Sequence, residues 1–158
     1  MDTETRKRLL EQVISEALSW VGTPYHHRGF VKGQGCDCGT MIYEAYKKII
    51  NLPPFPRNYA MDWALHNEGE LYLDFINPFI EEVTSPKRGD LVVWQYGRRY
   101  SHGSIYLGKS KYIHTWGRHG EGSVRINFEK FFHIRLDSMA YSGNWRRPRR
   151  IYQWKPYQ

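Results

Sequence analysis

Gly35-Cys36-Asp37-Cys38-Gly39-Thr40 stands where a glycine-rich loop runs into an apolar helical pattern, and its reading decides the fold. Upstream, residues 25–35 hold three glycines and the His26-His27 pair with no apolar period, which is loop. Downstream, Met41, Ile42, Ala45, Tyr46, Ile49 and Ile50 recur at helical spacing. A helix therefore begins near Cys38 and stops at Asn51, before Pro53-Pro54. A thiol at a helix start lies at the positive end of the macrodipole, among unpaired backbone N–H groups. That setting lowers a thiol pKa and favours the thiolate, and the same N–H groups can hold the oxyanion of a tetrahedral intermediate. Gly39 leaves room for a substrate to come close. Cys38 is thus a candidate nucleophile with an oxyanion hole of its own.

Working outward, Leu9, Leu10, Val13, Ile14, Ala17 and Leu18 predict a first helix over 3–20, stopped by Gly22-Thr23-Pro24. After residues 85–90 the period changes from helical to alternating. Residues 91–96, 101–107 and 111–116 read as successive strands, with weaker candidates at 124–128 and 151–154. Helices first and antiparallel strands second is the order of an α+β domain, here with a sheet of about five strands. A chain of 158 residues fits one domain, 1–158. Within it, 53–86 reads as an insertion packed over one side, with short helices at 63–65 and 71–80. Residues 145–158 form a basic C-terminal segment.

A cysteine nucleophile needs a base, and His102 and His114 are the candidates. They lie twelve residues apart on consecutive predicted strands. An even separation centred on Gly108 places them on one face of a hairpin, within about 4.5–5.5 Å if directly opposed. A slip of one residue would split them onto opposite faces. One histidine can take the thiol proton while the other orients it. Zinc is a competing reading, because Cys36, Cys38, His102 and His114 are four suitable ligands. Cys36 otherwise fills a small apolar position, since free cysteine is among the most buried residue types. The catalytic reading needs no metal and no cofactor. His26 and His27 could line the cleft, whereas His66, His119 and His133 read as surface or structural.

The formal charge is +7, and 16% of residues are aromatic. A basic protein is drawn to polyanions such as acidic wall polymer or nucleic acid. Trp145-Arg146-Arg147-Pro148-Arg149-Arg150 mixes arginine with aromatic residues, a pattern that can bind single-stranded nucleic acid. No nucleic-acid motif accompanies it, so wall polymer or a partner protein is preferred. No stretch approaches the length of a membrane span. The charged residues 1–8 run straight into the first helix without an apolar secretory core. The expectation is synthesis in the cytoplasm without a signal peptide, and export by another route if the protein acts outside.

Three groups of residues carry a family resemblance: Trp20-Val21-Gly22-Thr23-Pro24-Tyr25; Gly35-Cys36-Asp37-Cys38; and 89–94, 101–108 and Tyr112-Ile113-His114. Together they resemble the NlpC-type bacterial cell-wall cysteine peptidases, a papain-like family. The doubled Gly-Cys-Asp-Cys form is similar to members encoded by phages and gene transfer agents. The resemblance implies a papain-like fold with Cys38 as nucleophile, His102 as general base and His114 as the residue that orients it. Tyr25 would line the oxyanion side, and Asp37 would meet a substrate ammonium group. The implied substrate is a peptidoglycan stem peptide cut between D-glutamate and diaminopimelate or lysine, with phage tail or gene transfer particle proteins as partners. Gly39-Thr40 departs from the family's usual Ser-Gly. A non-catalytic tail protein that binds wall or nucleic acid would keep the same fold. Acyl transfer on a lipid or protein would use the same dyad.

Overall fold

A computed structural model of the chain describes residues 1–60, 69–118, 121–134 and 146–155. Helix α1 (Thr3–Ser19) is capped by Asp2, whose carboxylate accepts from the Thr5 backbone and hydroxyl, and it buries Leu10, Val13, Ile14 and Ala17. The following loop contains a short antiparallel pair, β1 (Phe30–Val31) and β2 (Gly35–Cys36). Helix α2 (Cys38–Tyr46) follows directly. Next come α3 (Leu71–Ile76), a 3-10 turn (Asn77–Phe79) and strand β3 (Ile80–Val83). The remaining elements are β4 (Leu91–Tyr96), β5 (Arg99–Gly108), β6 (Lys111–Arg118), β7 (Glu121–Phe128), α4 (Glu129–Phe132) and β8 (Arg149–Trp154). The main sheet runs β3-β8-β4-β5-β6-β7, antiparallel throughout.

The α+β expectation holds, but the sheet has six strands rather than about five. The extra strand is β3; the sequence reading ends a short helix at its first residue, Ile80, and leaves 81–83 in the insertion without an element. The α-helix ends at Ile76 and passes into the 3-10 turn that holds Pro78, which lacks the N–H a continuing α-helix needs. The chain then extends, and Ile80 pairs with Trp154 on the open edge of β8. The predicted helix at 63–65, with His66 and His119, lies outside the described residues.

Both faces of the sheet are covered. On one side Leu91, Val93, Ile105, Ile113 and Val124 pack with Val13, Ile14, Met41 and Ile42 of the helices. On the other, Val92, Trp94, Tyr112 and Ile151 pack with Phe132 of α4. The Trp94 and Phe132 rings stack at 4.4 Å. Four consecutive residues of β4, Leu91 to Trp94, are therefore buried, as expected for a strand with two covered faces.

Two bulges set the register of β5. Gly108 pairs with Lys111 around a two-residue turn, Lys109-Ser110, with both residues at positive φ (51° and 60°), the geometry that hairpin twist favours. Continued unchanged, that pairing would put His102 and His114 on opposite faces. One extra residue, Leu107, intervenes before Tyr106 pairs with Tyr112. Parity is restored, and the two histidines share a face as diagonal neighbours rather than as the directly opposed pair that a hairpin centred on Gly108 would give. The second bulge lies at Ser101, since Trp94 pairs with His102 and Gln95 with Tyr100.

The described arginines of the basic segment are engaged within the fold. Arg147 donates to the carbonyls of Phe132, Gln95 and Ile134 at 2.7–3.0 Å and stacks 3.8 Å from the Tyr96 ring centre. Arg149 meets Glu129 and the Tyr112 hydroxyl, and Arg150 meets Glu82. Replacing Arg147 with alanine leaves three carbonyls without their donor, a loss of about 2 kcal/mol. The melting temperature should fall by about 4–8 °C. Lysine, lacking the planar fork, should restore only part of it. A change of less than about 1 °C would show that the clasp contributes nothing.

Candidate active site

The start of α2 is built around Asp37. Its Oδ1 accepts from the backbone N–H groups of Gly39 and Thr40 at 3.0 and 2.9 Å. In return the Asp37 N–H donates to Thr40 Oγ1, completing a capping box. Oδ2 accepts from the Arg28 N–H at 2.9 Å and from the Tyr59 hydroxyl. Asp37 is buried, 5% exposed, and its oxygens hold three separate segments in place. The sequence reading offers Asp37 to a substrate ammonium; the structure adds this clasp, which the sequence alone does not reveal. His27 is fixed to the same segment, its Nε2 donating to the Tyr59 carbonyl at 2.9 Å.

Cys38 Sγ lies 3.6 Å from the carbonyl of Ser101, the bulged residue beside His102. Because of that bulge, the consecutive residues Ser101 and His102 both line the cavity onto which Cys38 opens. His102 Nε2 is 2.8 Å from His114 Nδ1, and His114 Nε2 is 2.8 Å from Asn127 Oδ1. An amide oxygen only accepts, so the His114 Nε2 carries a proton. The neutral ring then accepts at Nδ1, so His102 Nε2 also carries its proton. What remains on neutral His102 is the Nδ1 lone pair, with no hydrogen-bond partner among the described residues. Asn127 was not singled out in the sequence. It lies diagonally across β7 from His114, which is level with Arg125, so the register of a weakly signalled strand was needed to find it.

The helix start does not lower the Cys38 thiol as expected. Burial, followed by the negative charge of Asp37, pushes it up to about 12, and the opposing backbone hydrogen bonds at Gly103 and Cys38 are weaker. Burial, then the repulsion that a protonated His114 and the Arg147 guanidinium would exert, hold His102 well below the usual imidazole range. Both shifts favour the uncharged form, so the resting pair is thiol and neutral imidazole, not thiolate and imidazolium.

Tyr25 is brought to the thiol by backbone pairing. Its N–H donates to the Gly122 carbonyl at 3.0 Å, and it bridges to Cys36. A methyl group at Gly117 would overlap its Cβ, so that position needs glycine. Burial, then charge on Cys38 and Asp37, pushes the Tyr25 hydroxyl up to about 12. Gly39 does admit a close neighbour, but that neighbour is Phe55, 2.9 Å from where a Cβ would sit. The described part of 53–86 is therefore one wall of the site. Phe55, Tyr59, Tyr72 and Phe75 face Cys38 across a cavity of about 570 Å³.

Of the two loop histidines, His27 lines this cavity and His26 does not. Cys36 is buried with Sγ 3.6 Å from the Thr115 hydroxyl, and burial pushes its thiol up to about 11. Among the described residues, no three His, Cys, Asp or Glu side chains gather closely enough to hold a metal ion. His133 is buried and accepts from the Arg147 N–H, a structural role.

With this geometry in view, the comparisons agree on one family. Residues 22–139 match the NlpC/P60 family, and the chain belongs to it. A gamma-DL-glutamyl hydrolase of Bacillus subtilis (strain 168) is 26% identical over 106 residues, which cover 64% of this chain and 22% of the relative. The murein DD-endopeptidase MepH of Escherichia coli (strain K12) is 24% identical over 131 residues, 72% of this chain and 44% of the relative. The chain thus spans less than half of either relative. The solved NlpC/p60 domain of the peptidoglycan hydrolase SagA superposes with a TM-score of 0.52 at 24% identity, covering 78% of this chain and 92% of that one. The fold is that of the papain-like NlpC/P60 domains.

The buried histidines make a prediction about acid stability. The unfolded chain binds protons near pH 6.5, whereas folded His114 resists them until about 4. Stability present above pH 6.5 is therefore lost between pH 6.5 and about 4. Denaturant midpoints should fall over that range, and the His114 ring protons should not titrate near pH 6.5 in NMR. A His114 titration near 6.5 would show that the ring is not held as described.

Proposed function

We propose that this chain is a cysteine hydrolase that cuts amide bonds in peptidoglycan stem peptides, of the γ-D-glutamyl–diaminopimelate type. The observation that carries the reading is the directed chain from Asn127 through His114 to His102, which ends in an open lone pair beside the cavity that Cys38 lines. As the Cys38 sulfur attacks the amide carbon, His102 takes its proton, so neither buried group is charged before substrate arrives. The Cys38 N–H, the one amide of the first turn of α2 that Asp37 does not engage, receives the oxyanion with Tyr25 beside it. The carbon–nitrogen bond breaks, and His102 returns the proton to the departing amine. Water then cleaves the thioester by the reverse proton path, releasing the carboxylate and restoring the thiol. Asp37, whose acceptor positions are filled, favours a free substrate amine through its charge alone. The name of one relative, a murein endopeptidase, supports a wall substrate, and that of the other, a gamma-DL-glutamyl hydrolase, supports a glutamyl bond. Delivery by a phage tail or gene transfer particle fits the resemblance of the Gly-Cys-Asp-Cys motif, and tail proteins would then be the partners.

The test uses purified stem tetrapeptide and whole sacculi. Cys38→Ala should abolish cleavage with the melting temperature retained, and turnover surviving in that variant would remove the mechanism. Asn127→Ala should leave the fold intact and lower kcat by roughly 10–100-fold, part of what general-base catalysis contributes. Because His102 works as a neutral base and burial lowers its pKa, kcat/KM should stay level as pH falls through 6.5 and decline only below it. An acid limb centred at or above 6.5 would contradict the neutral resting pair.

A further inference from the structure

The cavity beside Cys38 changes character along its length. Its mouth holds the polar groups Asp37, Cys38, Ser101 and His102. Its inner end follows α2 and is lined by Ile42, Tyr46, Ile50, Ile76, Phe79 and Leu91. The Tyr46 hydroxyl donates to the Gly89 carbonyl and is spent there. From Cys38 to Tyr46 the helix axis advances about 12 Å. Among the described residues that line the cavity there is no lysine or arginine. A γ-glutamyl stem peptide carries a carboxylate near its scissile bond, and an unpaired carboxylate cannot be buried cheaply against such a wall. A hydrocarbon chain can, gaining about fourfold in binding for each methylene fully removed from water.

We propose that the inner end of this cavity takes the hydrocarbon chain of an acyl group whose carbonyl is presented to Cys38. The site then cleaves acyl esters or amides of apolar acids as well as peptide bonds. Cys38 and these apolar residues line one cavity, so an acyl carbon at Cys38 can lay its chain against the apolar lining. In the reaction the Cys38 sulfur bonds to the acyl carbon, and the alcohol or amine leaves with the proton held by His102. Water then splits the thioester to the fatty acid and the free thiol. The inference rests on Cys38 as nucleophile but not on the stem peptide as substrate.

The experiment is a chain-length series of p-nitrophenyl esters, acetate through octanoate, with the nitrophenolate burst timed and the acyl adduct located on Cys38 by mass spectrometry. Acylation should quicken by about tenfold or more from acetate to octanoate, well within the limit set by six buried methylenes. Ile76→Trp, which fills the inner end, should abolish the advantage of octanoate over acetate, with the melting temperature retained as the sign of an intact fold. Octanoate released from an octanoyl-lysine peptide would assign an acylated protein as the source of the chain; release from dioctanoyl phosphatidylcholine would assign a lipid. Equal rates for acetate and octanoate in the wild-type protein would overturn the proposal, even if stem peptide is cleaved. No adduct on Cys38 with any ester would overturn it together with the nucleophile assignment.

Discussion

The Asp37 carboxylate is the interaction on which the site depends. It is buried, and a buried carboxylate without partners is expensive. Here its two oxygens take donors from the start of α2, from the loop at Arg28 and from Tyr59 in the aromatic wall. That single group therefore fixes the helix turn that presents Cys38, the loop that leads into it and the wall opposite. The same charge has a cost for the neighbouring thiol, which it pushes further from ionisation. Order at the helix start and an easily formed thiolate compete, and order prevails in the resting protein.

The histidine pair shows how parity in a sheet becomes chemistry. A two-residue turn alone would set His102 and His114 on opposite faces, and a single extra residue at Leu107 reverses that outcome. A second extra residue at Ser101 turns the strand end so that a carbonyl reaches the Cys38 sulfur and the next side chain borders the cavity. Aromatic rings enclose the pair: Phe132 lies 4.7 Å from His114, and Trp116 lies 5.5 Å from His102. This dry surrounding keeps both imidazoles neutral and makes their hydrogen-bond direction depend on one distant acceptor, Asn127.

The excess of positive charge does not form a binding face in the described C-terminal segment. Arg147, Arg149 and Arg150 cap carbonyls and pair with Glu129 and Glu82, so they tie β8 and α4 to the sheet. The segment that includes Phe55, Tyr59, Tyr72 and Phe75 contributes the wall that faces the nucleophile. Phe30, Tyr43 and Phe55 meet edge to face at 5.3–6.0 Å, which joins that wall to α2 and to the first short strand. That wall of the cavity therefore comes from a region that carries none of the motifs by which the chain resembles its family.

The sequence by itself determined the α+β order, both major helices, the central strands and the identity of Cys38, His102 and His114 as the residues to bring together. These rest on short-range signals: helical spacing after Cys38, alternation from Leu91 onward and an even separation of two histidines. Tertiary structure alone decided the rest. Strand β3 forms where the chain, past the 3-10 turn that holds Pro78, meets an open sheet edge. Asn127 joins the histidines through the register of a strand with a weak local pattern. The thiol is raised because burial and the neighbouring Asp37 carboxylate act on it, and neither shows in its position at a helix start. Each of these outcomes depends on what distant segments place around a residue, and no local pattern of residues records that.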